Sequence, residues 1–102
     1  WTLAANDSVI VKATVIGRKV GDAGQSAAYE VICAFKNQGG TSTAGTTGVT
    51  KRVLNEDTGT TNYDATLAVN NTDDTFELKV TGDTGHTVNW MAHVEVLHLN
   101  IA

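Results

Sequence analysis

The sequence predicts an all-β fold: an antiparallel, jelly-roll-like β-sandwich of about six main strands, forming a single domain over residues 1–102. Three observations predict it. Proline is absent, glycine numbers 10 and threonine recurs, a composition that favours strands joined by glycine turns over helices. Apolar residues recur at alternate positions in six segments, the period of a half-covered strand. Clusters of Gly, Asn and Asp, which accept turn geometry, separate those segments. A chain of 102 residues with 41% hydrophobic and 18% charged residues has material for one core and lacks the polar signature of disorder.

The first segment, residues 8–20, sets Val9, Val11, Ala13 and Val15 on one face. The second, 26–37, does the same with Tyr29, Val31, Cys33 and Phe35. A Gly, Thr and Ser-rich stretch at 38–47 has no periodicity and reads as an exposed mobile loop, followed by a weaker strand at 48–56. The fourth segment, 62–70, places Tyr63, Ala65, Leu67 and Val69 inward, and the fifth, 75–81, places Phe76, Leu78 and Val80 inward. The link Asn71-Thr72-Asp73-Asp74 makes these two a hairpin. After the turn Gly82-Asp83-Thr84-Gly85, the segment 86–101 puts Val88, Trp90, Ala92, Val94 and Val96 on one face. That is the strongest period-two signal in the chain, and it predicts a central strand.

Three of these strands are apolar on the second face as well. Ile10 and Ile16 lie opposite the Val9 face, Ile32 opposite the Tyr29 face, and Leu97, Leu99 and Ile101 opposite Val94 and Val96. Monomers seldom expose large apolar patches, and six strands leave little material for a third layer. The expectation is a homo-oligomeric contact built from Ile10, Ile16, Ile32, Leu97 and Leu99.

Candidate chemistry fails on facing or spacing. His93 and His98 are an odd number of residues apart and point to opposite faces of one strand, while His86 sits in the preceding turn, so no zinc ligand set forms. Cys33 alternates with Val31 and Phe35 as a small core residue, and a single cysteine excludes an intrachain disulfide. Asp22, Asp57, Asp73, Asp74 and Asp83 read as turn formers. A calcium site at Asp73 and Asp74 lacks EF-hand spacing. Gly39-Gly40 and Gly82–Gly85 lack the Lys and helix of a phosphate loop. Asn6-Asp7-Ser8 and Asn70-Asn71-Thr72 match the glycosylation pattern, a common coincidence in a Thr-rich chain. Of the aromatic residues only Trp1 is left unplaced, so no sugar-stacking platform is named. The reading is non-enzymatic, with no cofactor and no metal. The net charge of −4, with seven scattered basic residues, argues against nucleic acid as a partner. No apolar run has the length of a membrane helix, so no membrane insertion is expected.

The run Ser26-Ala27-Ala28-Tyr29-Glu30-Val31, the later Asn55-Glu56-Asp57, and the closing Thr81-Gly82-Asp83-Thr84-Gly85-His86-Thr87-Val88-Asn89-Trp90-Met91-Ala92-His93-Val94-Glu95-Val96 resemble the C-terminal β-domain of bacteriophage tail-fibre and tailspike-type virion proteins. The resemblance covers residues 8–96 and brings no catalytic motif. It implies a virion structural module at the end of a trimeric fibre or spike, serving homotrimer assembly, attached to upstream fibre or spike domains, with host attachment through a bacterial surface glycan as a further role. Loops 17–25 and 38–47 would present to that glycan. Residues 97–102 depart from the shorter endings of the pattern and are expected at a subunit interface. The start at Trp1 without methionine suggests a processed product or fragment, and Ala102 suits a natural C-terminus. Two other readings stand beside this one: a capsid-decorating or assembly-chaperone domain that binds no receptor, and a carbohydrate-binding module of a bacterial enzyme.

Overall fold

Seven antiparallel strands form two sheets in the computed structural model, which describes residues 1–21 and 24–101. They are β1 (Asp7–Lys19), β2 (Ser26–Gln38), β3 (Thr41–Ala44), β4 (Thr50–Glu56), β5 (Asp64–Asn70), β6 (Thr75–Thr81) and β7 (Val88–Asn100). The large sheet has the order β3–β2–β1–β7, with β4 also on β2, and the small sheet is the β5–β6 hairpin. The order β7–β1–β2–β3 is a Greek-key arrangement: three hairpin-linked strands, then a late strand returning beside the first. The all-β sandwich read from the sequence is the observed fold.

Alternation sets the core. Val9, Val11, Ala13 and Val15 of β1 face the small sheet together with Ala27, Tyr29, Val31, Cys33 and Phe35 of β2, all buried. Tyr63, Ala65 and Leu67 descend from the other side. Each fully buried Val or Phe stabilises the fold by about 1.5–3 kcal/mol relative to exposure. Phe35 stacks on Phe76 across the layers with ring centroids 5.8 Å apart. Leu3, ahead of β1, is also buried; its N–H donates to the Asp74 carbonyl, and its own carbonyl accepts from Asn37 Nδ2.

Residues 38–47 are not a free loop. They contain β3, which pairs with Phe35 to Gln38 through a two-residue Gly39-Gly40 turn with φ of 62° and 88°. Both values match a type I′ hairpin turn, which glycine enters without steric cost. β3 has no large apolar side chain. Ser42 is its buried residue, with its N–H on Asn71 Oδ1 and its hydroxyl on Asp74 Oδ1, both at 2.7 Å. These polar bonds tie β3 to the β5–β6 turn in place of an apolar pattern.

β7 is an edge strand, not a central one. Among the described residues its strand partner is β1 alone, from Asp7↔Asn100 to Lys19↔Val88. The β5–β6 hairpin packs on β2 and β3, and two strands are too few to roof a sheet this wide. The inward face of β7 is therefore only partly covered: Trp90 and Val96 are half-buried, while Ala92 and Val94 are exposed. Val80, at the far end of β6, is exposed for the same reason. The Trp90 ring lies across Gly17, its register partner, and beside Tyr63 at 5.9 Å. A Cβ at Gly17 would come within 2.5 Å of that ring, so any side chain there has to displace the indole.

Candidate interaction surface

β1, β2 and β7 position the outer face of the large sheet, and their registers align its side chains in rows. Ala34, Ile10 and Leu97 form one row, Lys36, Ser8 and Leu99 the next, and Ala28, Ile16 and Met91 a third at the opposite end. Between these apolar ends lie Ile32, Lys12 and Glu95, then Glu30, Thr14 and His93. The outer face is thus two apolar ends separated by a charged middle.

Of the residues expected at an oligomer contact, Ile10, Ile16, Leu97 and Leu99 lie exposed on this face, Leu97 at 70% and Leu99 at 61%. Ile10 and Leu97 are direct register neighbours. With Leu99, Ala34, Lys36 and Gly45 they line a shallow groove of about 330 Å³. Ile16 is at the far end and does not join them. Ile32 is half-buried beside Lys12. Met91, 74% exposed, completes the second apolar end beside Ile16. It shares parity with Leu97 and Leu99, a signal that extending their alternation towards residue 91 would have found.

The charged middle holds Lys12 Nζ 3.5 Å from Glu30 Oε2 and His93 Nε2 3.3 Å from Glu95 Oε1. Exposed pairs of this kind contribute about 0–1 kcal/mol, so their placement matters more for partner choice than for stability.

The remaining candidate groups have structural partners. His98 points inward, its Nε2 2.6 Å from Oδ1 of the buried Asp7, and Trp1 packs edge-on against it while stacking on Phe76. Asn100 Nδ2 donates to the same oxygen. The His98 bond, then the Asn100 bond, hold the Asp7 carboxyl below its ordinary range, against the opposing effect of burial. His86 Nδ1 meets the Tyr63 hydroxyl at 2.7 Å, and His93 lies on the other face of β7. Asp73 accepts from Asn70 and Asp74 from Ser42, so both carboxylates serve the β5–β6 turn. Burial pushes the Cys33 thiol up, as for a core residue. Among the described residues no group of three His, Cys, Asp or Glu is disposed to hold a metal ion.

Residues 26–31 and 55–57 meet in space. The Tyr29 hydroxyl lies 2.7 Å from Glu56 Oε2 and 2.9 Å from the Tyr63 carbonyl, and burial, followed by the Glu56 bond, raises its pKa. Asp57 Oδ2 accepts from the Ser26 N–H, and its Oδ1 from Asn55 Nδ2. The expected presenting loop at 17–25 is shorter than read, because β1 runs to Lys19. Asp22, within it, and Ala102 lie outside the described residues. No family model, curated protein or solved structure matches this chain.

Proposed function

We propose that this chain is a non-enzymatic structural module of a phage virion protein, at the end of a trimeric tail fibre or tailspike, where it holds copies of itself in register. The observation that supports this reading is the outer face of the large sheet, where Ile10, Leu97 and Leu99 form one apolar end and Ile16 and Met91 the other. A sheet whose second face carries large apolar side chains gains by burying them against another subunit. The virion, the fibre and the glycan enter through the resemblance of residues 26–31, 55–57 and 81–96 alone.

Analytical ultracentrifugation of the chain at micromolar concentration tests the reading. A trimer that dissociates on Ile10→Asp with Leu97→Asp, while each chain keeps its β-sheet circular dichroism, supports it. A stable monomer overturns it. A glycan array then separates attachment from pure assembly: binding supports the host-surface role, and silence with trimerisation supports the assembly-domain alternative.

A further inference from the structure

Among the described residues no second strand pairs with β7 over residues 88–99, and the flanking bonds define the phase of that edge. Val20 N–H donates to the Thr87 carbonyl and Ile101 N–H to the Asn6 carbonyl, so these opposed pairs are of the hydrogen-bonded kind. Carrying that alternation along the β1–β7 register, the odd-numbered residues Met91, His93, Glu95 and Leu97 bond to β1. The backbone N–H and C=O groups of Trp90, Ala92, Val94 and Val96 then point away from it. Edge strands usually discourage pairing with proline, a bulge or several charges. β7 has no proline, and its register with β1 runs without a shift.

We propose that β7 pairs antiparallel with β7 of a second copy about a two-fold axis through Val94, joining two large sheets into one. The side chains select both the occupant and the register. With Val94 opposite itself, His93 faces Glu95 of the second copy and Glu95 faces its His93. Met91 faces Leu97 of the second copy, and Ala92 faces its Val96. Moving the axis by one residue in either direction sets His93 against His93 or Glu95 against Glu95. An imidazole facing a carboxylate can donate a hydrogen bond to it whereas two carboxylates repel, so the Val94 register is preferred.

The pairing also completes the outer face. Ile16 and Met91 are neighbours in one row, and Ile10 and Leu97 in another. Across the axis these become one apolar row: Ile16 and Met91 of one copy, then Leu97 and Ile10 of the other. The charged row becomes Thr14, His93, then Glu95 and Lys12 of the second copy. Two apolar ends that are separate within one chain are thereby joined between chains. The contact is isologous, and so differs from any contact around a three-fold axis. It stands on the geometry of β7 and is independent of the fibre reading.

Val94→Cys tests it directly, since only a residue on the axis faces its own copy. Opposed residues of a hydrogen-bonded antiparallel pair have Cα atoms about 5.5 Å apart but Cβ atoms wider than a disulfide prefers, so a short thiol-to-thiol cross-linker is the suitable bridge. Cys33 is buried and does not compete. The expected result with that linker is a cross-linked dimer for Val94→Cys and none for Leu99→Cys. Val94→Pro removes only an outward N–H, so the chain should keep its circular dichroism and lose the two-fold contact in ultracentrifugation. His93→Glu should also separate the copies, and adding Glu95→Lys should restore them. Absence of the Val94→Cys dimer overturns the pairing, as does equal cross-linking at Leu99→Cys or unchanged association of Val94→Pro. A trimer without the Val94→Cys cross-link leaves the fibre reading standing and this contact refuted.

Discussion

β2 and β7 are both 13-residue strands, both pair with β1 along most of its length, and both alternate apolar and other residues. They have opposite environments. β2 has β1 on one side, β3 and β4 on the other and the β5–β6 hairpin above it, and Tyr29, Val31 and Phe35 are at most 2% exposed. Among the described residues β7 has one strand neighbour, and Met91, Val94, Leu97 and Leu99 are all exposed. Alternation therefore tells which side chains share a face, while coverage depends on how many strands the opposing layer can supply.

The sharpest test of this contrast is truncation on each strand. Phe35→Ala, which removes the ring stacked on Phe76, should cost about 3–5 kcal/mol in urea unfolding. Leu97→Ala should change the stability of the dissociated chain by less than about 0.5 kcal/mol. Equal costs would break the comparison. Gly17→Ala should cost about 1–3 kcal/mol, because the new methyl must displace the Trp90 ring from β1. Adding Trp90→Leu should recover part of that loss, with tryptophan fluorescence of the single variant reporting the displaced indole.

Tyr29→Phe should cost about 1–2 kcal/mol, by leaving the Tyr63 carbonyl without its buried donor. On β7 the inward polar anchors are His98 and Asn100, both on Asp7. The Asp7 carboxyl is held below its ordinary value of 3.8 in the folded chain, so the stability it contributes is present above that pH and is lost as pH falls through the lower folded value. Asp57, lowered first by the Ser26 N–H, acts in the same direction. The expected effect is a fall of Tm on acidification below about pH 4, shallower in Asp7→Asn. An unchanged acid slope in that variant would show that the Asp7 anchor does not set it.

What the sequence made legible follows the same division. β1, β2 and β5 were readable because one face is apolar and roofed, so Val9 to Val15, Tyr29 to Phe35 and Tyr63 to Leu67 obey one period. β3 was not, because hydrogen bonds from Ser42 hold it and polar contacts leave no periodicity. The edge position of β7 was hidden by the regularity of Val88 to Val96, since strand order depends on distant partners. The outward placement of Ile10, Ile16, Leu97 and Leu99 was legible from parity. That Ile10 meets Leu97 while Ile16 meets Met91 required the register between strands about 75–87 positions apart, which no local pattern encodes.

The Asp7 to His98 bond joins residues 91 positions apart. Closing so long a loop is entropically expensive at the outset, whereas the β1–β2 hairpin closes locally. β7 is accordingly expected to dock last, onto the open edge of β1. Pulsed hydrogen exchange should show β1–β2 amides protected before those of β7. An assembly that uses β7 would then have its timing set by the end of folding, with partners able to join only chains that are already complete.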